Sequence, residues 1–380
     1  MKKLLFISNI CRGVGNVHIV SATASENVGY EFHLAANFTN LSKDMEEKYP
    51  NIYFHHIDFI RFPFHPGNIR AYFELNELIR EIRPEVIHCN TPIGGVLGRI
   101  CGYRCRVKKI IYTAHGFHFY AGAPLINRTV FKWGEMLLAH WTDAIITINR
   151  EDYAASQKLN LRKQGKNYYL PGVGMDTILY KKNYMKRDMI RLKKRKELGI
   201  SLDKFVIISV GELNHNKNNE IIIKALAKVR VSEIQYLMCG VGTEQRKLEL
   251  LADKLGIKNQ IHFLGYRTDV QELYQTADLF VMPSFREGLS RSLMEAMSSG
   301  LPCIVSNIRG NIDLIHNNIN GILCDPKDEE TFAKAIAYLY DDREKCLEMG
   351  RKNLDIIQKY DLNNVIKQIS EIYSEVIDSI

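Results

Sequence analysis

The sequence predicts an α/β protein made of two doubly wound parallel sheets. Three observations predict it. Short apolar runs alternate with longer helical patterns from end to end, the runs are apolar on both faces, and the alternation starts afresh near the middle of the chain. At 380 residues, 46% hydrophobic and 25% charged, the chain is globular and longer than one core fills.

In the first half the candidate strands are "KLLFISN", "EFHLAAN", "IYFHHID", "EVIHCN", "KIIYTA" and "AIITIN". The opening "MKKLLFISNICRG" imitates a secretory signal, but Arg12 ends the apolar run early and no small-residue cleavage site follows. It reads as a buried first strand. "NIRAYFELNELIREIR" reads as a helix with Ile69, Tyr72, Phe73, Leu78, Ile79 and Ile82 on one face. The second half offers "FVIISV", "IQYLMC", "IHFLG", "LFVMPS", "PCIVSN" and "GILCD". This order predicts an N-terminal domain over 1–172, a hinge and basic linker over 173–199, and a C-terminal domain over 200–362. The last helix, about 363–380, is expected to return to the first domain. No stretch reaches the roughly 18 apolar residues of a membrane span.

The formal net charge is +8, which suits phosphates or an anionic membrane surface and does not require nucleic acid. Its densest basic run, "KKNYMKRDMIRLKKRK", reads as a solvated linker helix or as a contact surface. "FIRFPFHPGNIRAYF" interleaves Arg61 and Arg70 with aromatics, a mix suited to an anionic interface. The eight cysteines are scattered, with Cys101 and Cys105 the closest pair and no CxxC, which points to reduced thiols in a cytosol.

In open parallel sheets ligands sit beyond the carboxyl ends of the strands. Small and polar residues fall there repeatedly: Gly13 and Gly15, Asn90-Thr91, His115-Gly116, Gly211, Gly240-x-Gly242, Gly265 and the turn Arg286-Glu287-Gly288. "GVGN" is not a dinucleotide fingerprint, because His18 stands at the third glycine position. This disfavours a dehydrogenase. His115-x-x-His118 lacks a metalloprotease glutamate, and there is no Asp-x-Asp, so no metal site is expected. A diphosphate would then need backbone amides, a helix N-terminus and cations such as Lys217 and Arg286.

"PSFREGLSRSLMEAMSSG" places Glu287 at a turn and Glu295 inside a helix expected to begin near Leu289. The second carboxylate lies roughly 12 Å further along at 1.5 Å per residue. That separation suits the two ends of an elongated ligand such as a nucleotide sugar.

The segment resembles the Glu-x7-Glu signature of retaining glycosyltransferases of family 4, whose GT-B fold pairs two Rossmann-like domains facing an interdomain cleft. "VGELNHNKN", "CGVGTEQRKL", "FLGYRTDV" and "NGILCDP" are similar to further elements of that family. "VIHCNTPIGGVLGR" and "YTAHGFHFY" look like its branches in capsule, exopolysaccharide and lipid-linked oligosaccharide assembly. The resemblance implies that Glu295 binds the ribose and Glu287 the donor sugar. It implies that Gly288, Leu289 and Ser290 offer amides to sugar and diphosphate, that Lys217 binds the diphosphate, and that His115 contacts the sugar. The backbone near Tyr266 and Arg267 would frame the base. Gly240 and Gly242 belong to the family's glycine turn, and Gly13 and Gly15 to the first-domain edge. Many relatives carry arginine where this chain has Glu212; a carboxylate there is expected to pair with Arg286 or Lys217. The implied reaction is retaining transfer from a UDP-N-acetylhexosamine or UDP-galactose to a lipid-linked or glycan acceptor in surface polysaccharide synthesis. No cofactor or metal is implied, and the expected location is the cytoplasmic face of the plasma membrane. An epimerase or phosphorylase on the same fold, and a non-catalytic nucleotide-sugar-binding module, are the alternatives.

Overall fold

In Lys2–Cys11 (β1) every residue from Leu4 to Asn9 is buried, as a strand covered on both faces requires. This is a computed structural model, and it describes residues 2–38, 43–120 and 123–378. β1 is central in a seven-stranded parallel sheet with Tyr30–Phe38 (β2), Ile52–His56 (β3), Val86–Cys89 (β4), Lys109–Ala114 (β5), Ala144–Thr147 (β6) and Lys166–Tyr169 (β7). The order is β3-β2-β1-β4-β5-β6-β7, so the direction of winding reverses between β1 and β4. β7 was not legible in the sequence. "KNYY" is a half-exposed edge strand with no apolar run, and only its pairing with β6 makes it a strand.

The helix Gly67–Ile82 presents the expected face at Leu78, Ile79 and Ile82 but not at Ile69 and Phe73. Ala71, Leu75, Leu78, Ile79 and Ile82 are buried, whereas Ile69 and Phe73 are 62% and 64% exposed. The cause is Asn68, which turns inward: its Oδ1 accepts from the Ile60 amide at 3.0 Å and its Nδ2 donates to the carbonyl of Phe62 at 3.0 Å. Clamping that polar residue against the preceding loop turns the start of the apolar stripe to the surface. Cys101 and Cys105 are free thiols sharing Asn76, which donates to Cys101 Sγ and accepts from Cys105 Sγ, both at 3.3 Å. Arg99 is fully buried; it holds Glu135 through two bonds of 2.8 and 3.0 Å and lies 4.0 Å over the Tyr112 ring.

Contacts divide the chain into two units, one running to Gly174 and resuming at Leu362, the other Met175–Asp361. The C-terminal helix Leu362–Asp378 packs on the helix Asn16–Asn27 of the first unit. Its Tyr373 hydroxyl bonds His88 Nδ1 at 2.6 Å, and His88 Nε2 bonds Thr113 Oγ1 at 2.7 Å. Both ring nitrogens of this buried imidazole are therefore matched to hydroxyls.

The second unit repeats the plan with Phe205–Val210 (β8), Ile234–Cys239 (β9), Ile261–Gly265 (β10), Leu279–Met282 (β11), Cys303–Ser306 (β12) and Gly321–Cys324 (β13). Its order, β10-β9-β8-β11-β12-β13, reverses between β8 and β11. The span expected as a hinge and basic linker is instead two helices of this unit, Thr177–Met185 and Arg187–Glu197. Four of their cations, Arg187, Arg191, Lys194 and Arg195, are used internally, while Lys181, Lys193 and Lys196 are exposed. Arg191 and the fully buried Arg195 each meet Asp278 at 2.8 Å, and Lys194 meets Asp269 at 2.5 Å and Glu197 at 2.9 Å. Arg187 and Arg195 also donate to carbonyls at the end of the helix Val270–Thr276 and just beyond it. One side of this burst of positive charge is thus an internal clamp, and the other is solvated.

His88 also gives the first unit a pH dependence. Burial, with the neighbouring His115 second, pushes its pKa down to about 3 from an ordinary 6.5. The unfolded chain then binds more protons than the native one below pH 6.5, so stability falls as pH drops through that window and is flat above it. The melting temperature of the wild type should rise between pH 5 and 7, and His88→Gln should lose part of that slope. Identical slopes would contradict the assignment.

Candidate functional site

At the winding reversal of the second unit the loop after β8 crosses the loop after β9 at backbone contact. The Gly211 amide donates to the Cys239 carbonyl at 2.9 Å, and the Leu213 amide to the Val241 carbonyl at 3.0 Å. A Cβ on Gly240 would lie 1.9 Å from the Gly211 carbonyl oxygen, and one on Gly242 2.2 Å from that of Leu213. The Gly240 amide continues the ladder to the Gly265 carbonyl at 2.8 Å. The G-x-G spacing is needed here for backbone approach, whatever binds above it.

The asparagines of "NHNKNN" shape the next turn. Asn214 Oδ1 accepts from the Lys217 amide at 3.1 Å, capping a 3₁₀ turn over His215–Lys217. Asn218, in the left-handed region at φ 52°, donates to the carbonyls of Pro283 at 3.1 Å and Pro326 at 2.8 Å. Asn216 exchanges bonds with the loop after β11, accepting from the Phe285 amide at 2.8 Å and donating to the Arg286 carbonyl at 3.0 Å. The two loops are fixed side by side, and Lys217 Nζ meets Glu287 Oε1 at 2.7 Å. A crevice between them is lined by Ser209, Gly211, Lys217, Asn219, Pro283 and Ser284.

Beyond Glu287 the chain enters the helix Arg291–Ser298, two residues later than the sequence suggests, with Ser290 as its cap. The amides of Gly288, Leu289 and Ser290 have no acceptor among the described residues. Gly310, at φ +81°, backs this turn so closely that a Cβ would stand 1.7 Å from the Gly288 carbonyl oxygen. Glu295, on the second helical turn, is largely enclosed: Oε2 accepts from the Tyr274 hydroxyl at 3.1 Å and Oε1 from Arg291 Nε at 2.9 Å. Burial, reinforced by the Glu295 charge, holds the phenols of Tyr274 and Tyr180 well above their ordinary pKa, so both remain donors.

One expectation is corrected. Glu212 is exposed and forms no ion pair among the described residues, because its loop carbonyl and amide neighbours are held by the β9 crossing and Lys217 is taken by Glu287. The Arg267 side chain turns to Asp269, at 2.7 and 2.6 Å, and to Glu197 at 3.1 Å, so it serves the clamp on the Arg187–Glu197 helix. Tyr266 beside it is 79% exposed.

In the first unit the carboxyl edge carries His115, half-buried, whose Nε2 lies 2.7 Å from Asn90 Oδ1. With a carbonyl as acceptor, Nε2 carries the proton and Nδ1 keeps a lone pair. Burial lowers this imidazole to about 4, so it is neutral at physiological pH. Gly15 precedes the helix Asn16–Asn27, and a Cβ on Gly13 or Gly15 would meet nothing within 4 Å. Open space, not backbone crowding, surrounds these two glycines. Among the described residues no three His, Cys, Asp or Glu side chains gather as a metal-ligand set.

The sequence reading missed Tyr274 and Tyr180 beside Glu295, and Arg309, whose Nε lies 3.5 Å from the Glu287 carbonyl. Only the asparagine-rich run carried a readable signal, since asparagine favours caps and left-handed turns. A separate cavity of about 1130 Å³, lined by Arg80, Arg83, Arg104, Arg106 and Lys108, lies at the amino ends of β4 and β5, away from the edge carrying His115.

Comparison with known proteins agrees with this geometry. Residues 190–354 match the family described as glycosyl transferases group 1, and residues 3–149 that described as glycosyl transferase 4-like. The chain is 32% identical over 381 residues to EpsD of Bacillus subtilis, which carries a glycosyltransferase name, covering 99% of this chain and 97% of that one. It is 27% identical over 317 residues to the UDP-Gal:alpha-D-GlcNAc-diphosphoundecaprenol alpha-1,3-galactosyltransferase of Escherichia coli, covering 82% and 80% of the two chains. Among solved structures, Anabaena HepE in complex with UDP and glucose superposes with a TM-score of 0.81 at 21% identity, over 98% of this chain and all of that one. The chain therefore belongs to the group 1 glycosyltransferases of family 4, and its two Rossmann-like domains are those of the GT-B fold.

Gly310→Ala should destabilise the second unit by more than about 2 kcal/mol, since the new Cβ requires both backbone strain and a shift of the 288 turn. Gly13→Ala should change stability by no more than about 1 kcal/mol. Urea unfolding of both variants checks this, and equal effects would contradict it.

Proposed function

We propose that the protein is a retaining glycosyltransferase moving a sugar from a UDP-sugar, a UDP-N-acetylhexosamine or UDP-galactose, to a lipid-linked glycan acceptor for surface polysaccharide. It would work at the cytoplasmic face of an anionic membrane. The observation that carries this reading is the group at the winding reversal of the second unit: the Lys217–Glu287 pair, the unused amides of 288–290 and the enclosed Glu295.

In this reading Lys217 and the amides at the start of the helix Arg291–Ser298 take the diphosphate, whose charge grows as the sugar departs. Lys217 bridges the leaving group and Glu287, so the carboxylate is held at the sugar's hydroxyls and not turned to water. Glu295 receives the ribose hydroxyls on its remaining lone pairs, with Tyr274 and Arg291 fixing its two oxygens. The neutral His115 offers the Nδ1 lone pair to a sugar hydroxyl. The backbone near Tyr266 and Arg267 frames the base. Among these groups no nucleophile is paired with a base, which suits same-face attack assisted by the leaving phosphate. With no Asp-x-Asp in the sequence, charge neutralisation falls to Lys217 and backbone amides, and no divalent metal is required.

Glu295→Ala should weaken UDP binding by about 1.5–3 kcal/mol, the range for hydrogen bonds to a charged acceptor. Glu287→Gln should leave UDP affinity nearly unchanged and depress transfer. Titration calorimetry with UDP, with and without EDTA, together with donor hydrolysis over a panel of nucleotide sugars, checks both roles. Equal losses of UDP affinity, or binding and turnover abolished by the chelator and restored by manganese, would contradict the reading.

A further inference from the structure

The cavity of about 1130 Å³ in the first unit carries positive charge that the chain does not compensate. Of its five cations, only Lys108 has an acid, meeting Glu85 at 3.2 Å. Arg80, Arg83, Arg104 and Arg106 are exposed and form no ion pair among the described residues, and the one other acid lining the space is Glu77. The neighbouring groove, of about 620 Å³, shares Arg106 and Lys108 and is also lined by cations. There, however, Arg162 meets Asp143 at 3.6 Å and Lys166 is paired with Glu375. The chain supplies acids to one groove and leaves four arginines open in the other.

Two of the four stand where an arginine is costly. Arg83 caps the helix Gly67–Ile82 at φ 50°, its amide donating to the Ile79 carbonyl at 3.0 Å. Arg106 follows the helix Pro92–Arg104 at φ 58°, its amide donating to the Tyr103 carbonyl at 3.1 Å. Glycine fills such left-handed helix ends without strain. The helix dipole favours a cation in the last turn, which accounts for Arg80 and Arg104. It does not ask for a second arginine at each strained position, and both of these line the same cavity. Beside them the wall is aromatic: Phe73 is exposed, Tyr72 is partly so, and their rings lie 5.3 Å apart. Phe73, Glu77 and Arg80 recur at i, i+4 and i+7, so one helical face carries a ring and a guanidinium separated by about 10 Å of rise. That is comparable to the reach from a base across its ribose to a phosphate chain.

We infer that this cavity binds a nucleotide carrying three or more phosphates, with its base against Phe73 and its phosphates on Arg80, Arg83, Arg104 and Arg106. Guanidinium forks take phosphate oxygens in pairs, and a diphosphate has too few free oxygens to engage four of them. An enclosed space of this volume suits a small molecule better than a polymer, which would use an extended surface. The site lies at the amino ends of β4 and β5, on the far edge from His115, and the inference does not rest on the proposed transfer.

The test is titration calorimetry with ATP, GTP and UTP, in EDTA and saturating UDP so that the donor site is already filled. Wild type should bind at least one of them at a further site, more weakly as salt rises. Arg83→Gly with Arg106→Gly should weaken that binding by at least about tenfold, as lost hydrogen bonds to a charged partner require. The melting temperature of this variant should hold or rise, because glycine relieves both left-handed positions. Lys193→Ala with Lys196→Ala removes the same charge from the exposed side of the helix Arg187–Glu197 and should leave affinity unchanged. Phe73→Ser should weaken nucleotide binding and spare inorganic tripolyphosphate. No binding of any triphosphate beyond saturating UDP, or a glycine variant that binds like wild type, would overturn the inference. So would tripolyphosphate binding as tightly as the nucleotides, since no base would then be held, or an RNA oligonucleotide binding here where mononucleotides do not. A protein that fails to bind UDP would sink the donor reading alone, because the glycine and Phe73 variants still report on this cavity.

Discussion

The Lys217–Glu287 ion pair is the contact around which the candidate site is arranged. It joins the loops after β8 and β11, the two strands where winding reverses, and both members are mostly enclosed. Removing either partner leaves the other partly buried and unpaired, which costs more than the pair itself contributes. The asparagine bonds from residues 214, 216 and 218 set the lysine's position, and the close packing of Gly310 on the 288 turn sets the glutamate's. Much of the irregular backbone in this unit is there to bring one cation and one carboxylate together above a sheet edge.

The rest of the second unit serves that edge at a distance. Asp278 gathers Arg191, Arg195 and the Val206 amide, so the start of β8, the approach to β11 and the helix Arg187–Glu197 are fixed to one carboxylate. Asp269, Lys194, Glu197 and Arg267 form a neighbouring cluster that holds the turn after β10. Charges with short partners and fixed geometry act here as internal ties away from the carboxyl edge.

The fold was legible because parallel strands buried on both faces read as apolar runs, and twelve such runs stand in the sequence. β7 escaped because an edge strand is defined by its neighbour and not by its own composition. The basic run misled because charge density in a sequence does not say whether a cation meets solvent or a buried carboxylate. The sequence placed Glu287 at a turn and Glu295 in a helix, where the structure has them, but the partner of Lys217 did not follow from sequence, since Glu212 and Glu287 stand at five and seventy residues from it and only the fold decides between them.

The central claim is that a UDP-sugar sits at the carboxyl edge of the second unit. Hydrogen exchange by mass spectrometry, with and without UDP, reads it directly through the amides of 288–290, which have no acceptor within the described protein. The account predicts that UDP slows exchange in peptides spanning 211–218 and 286–295 and leaves the arginine-lined cavity around Arg80 and Arg106 unchanged. Protection confined to that cavity, or none at 286–295 under saturating UDP, would contradict it.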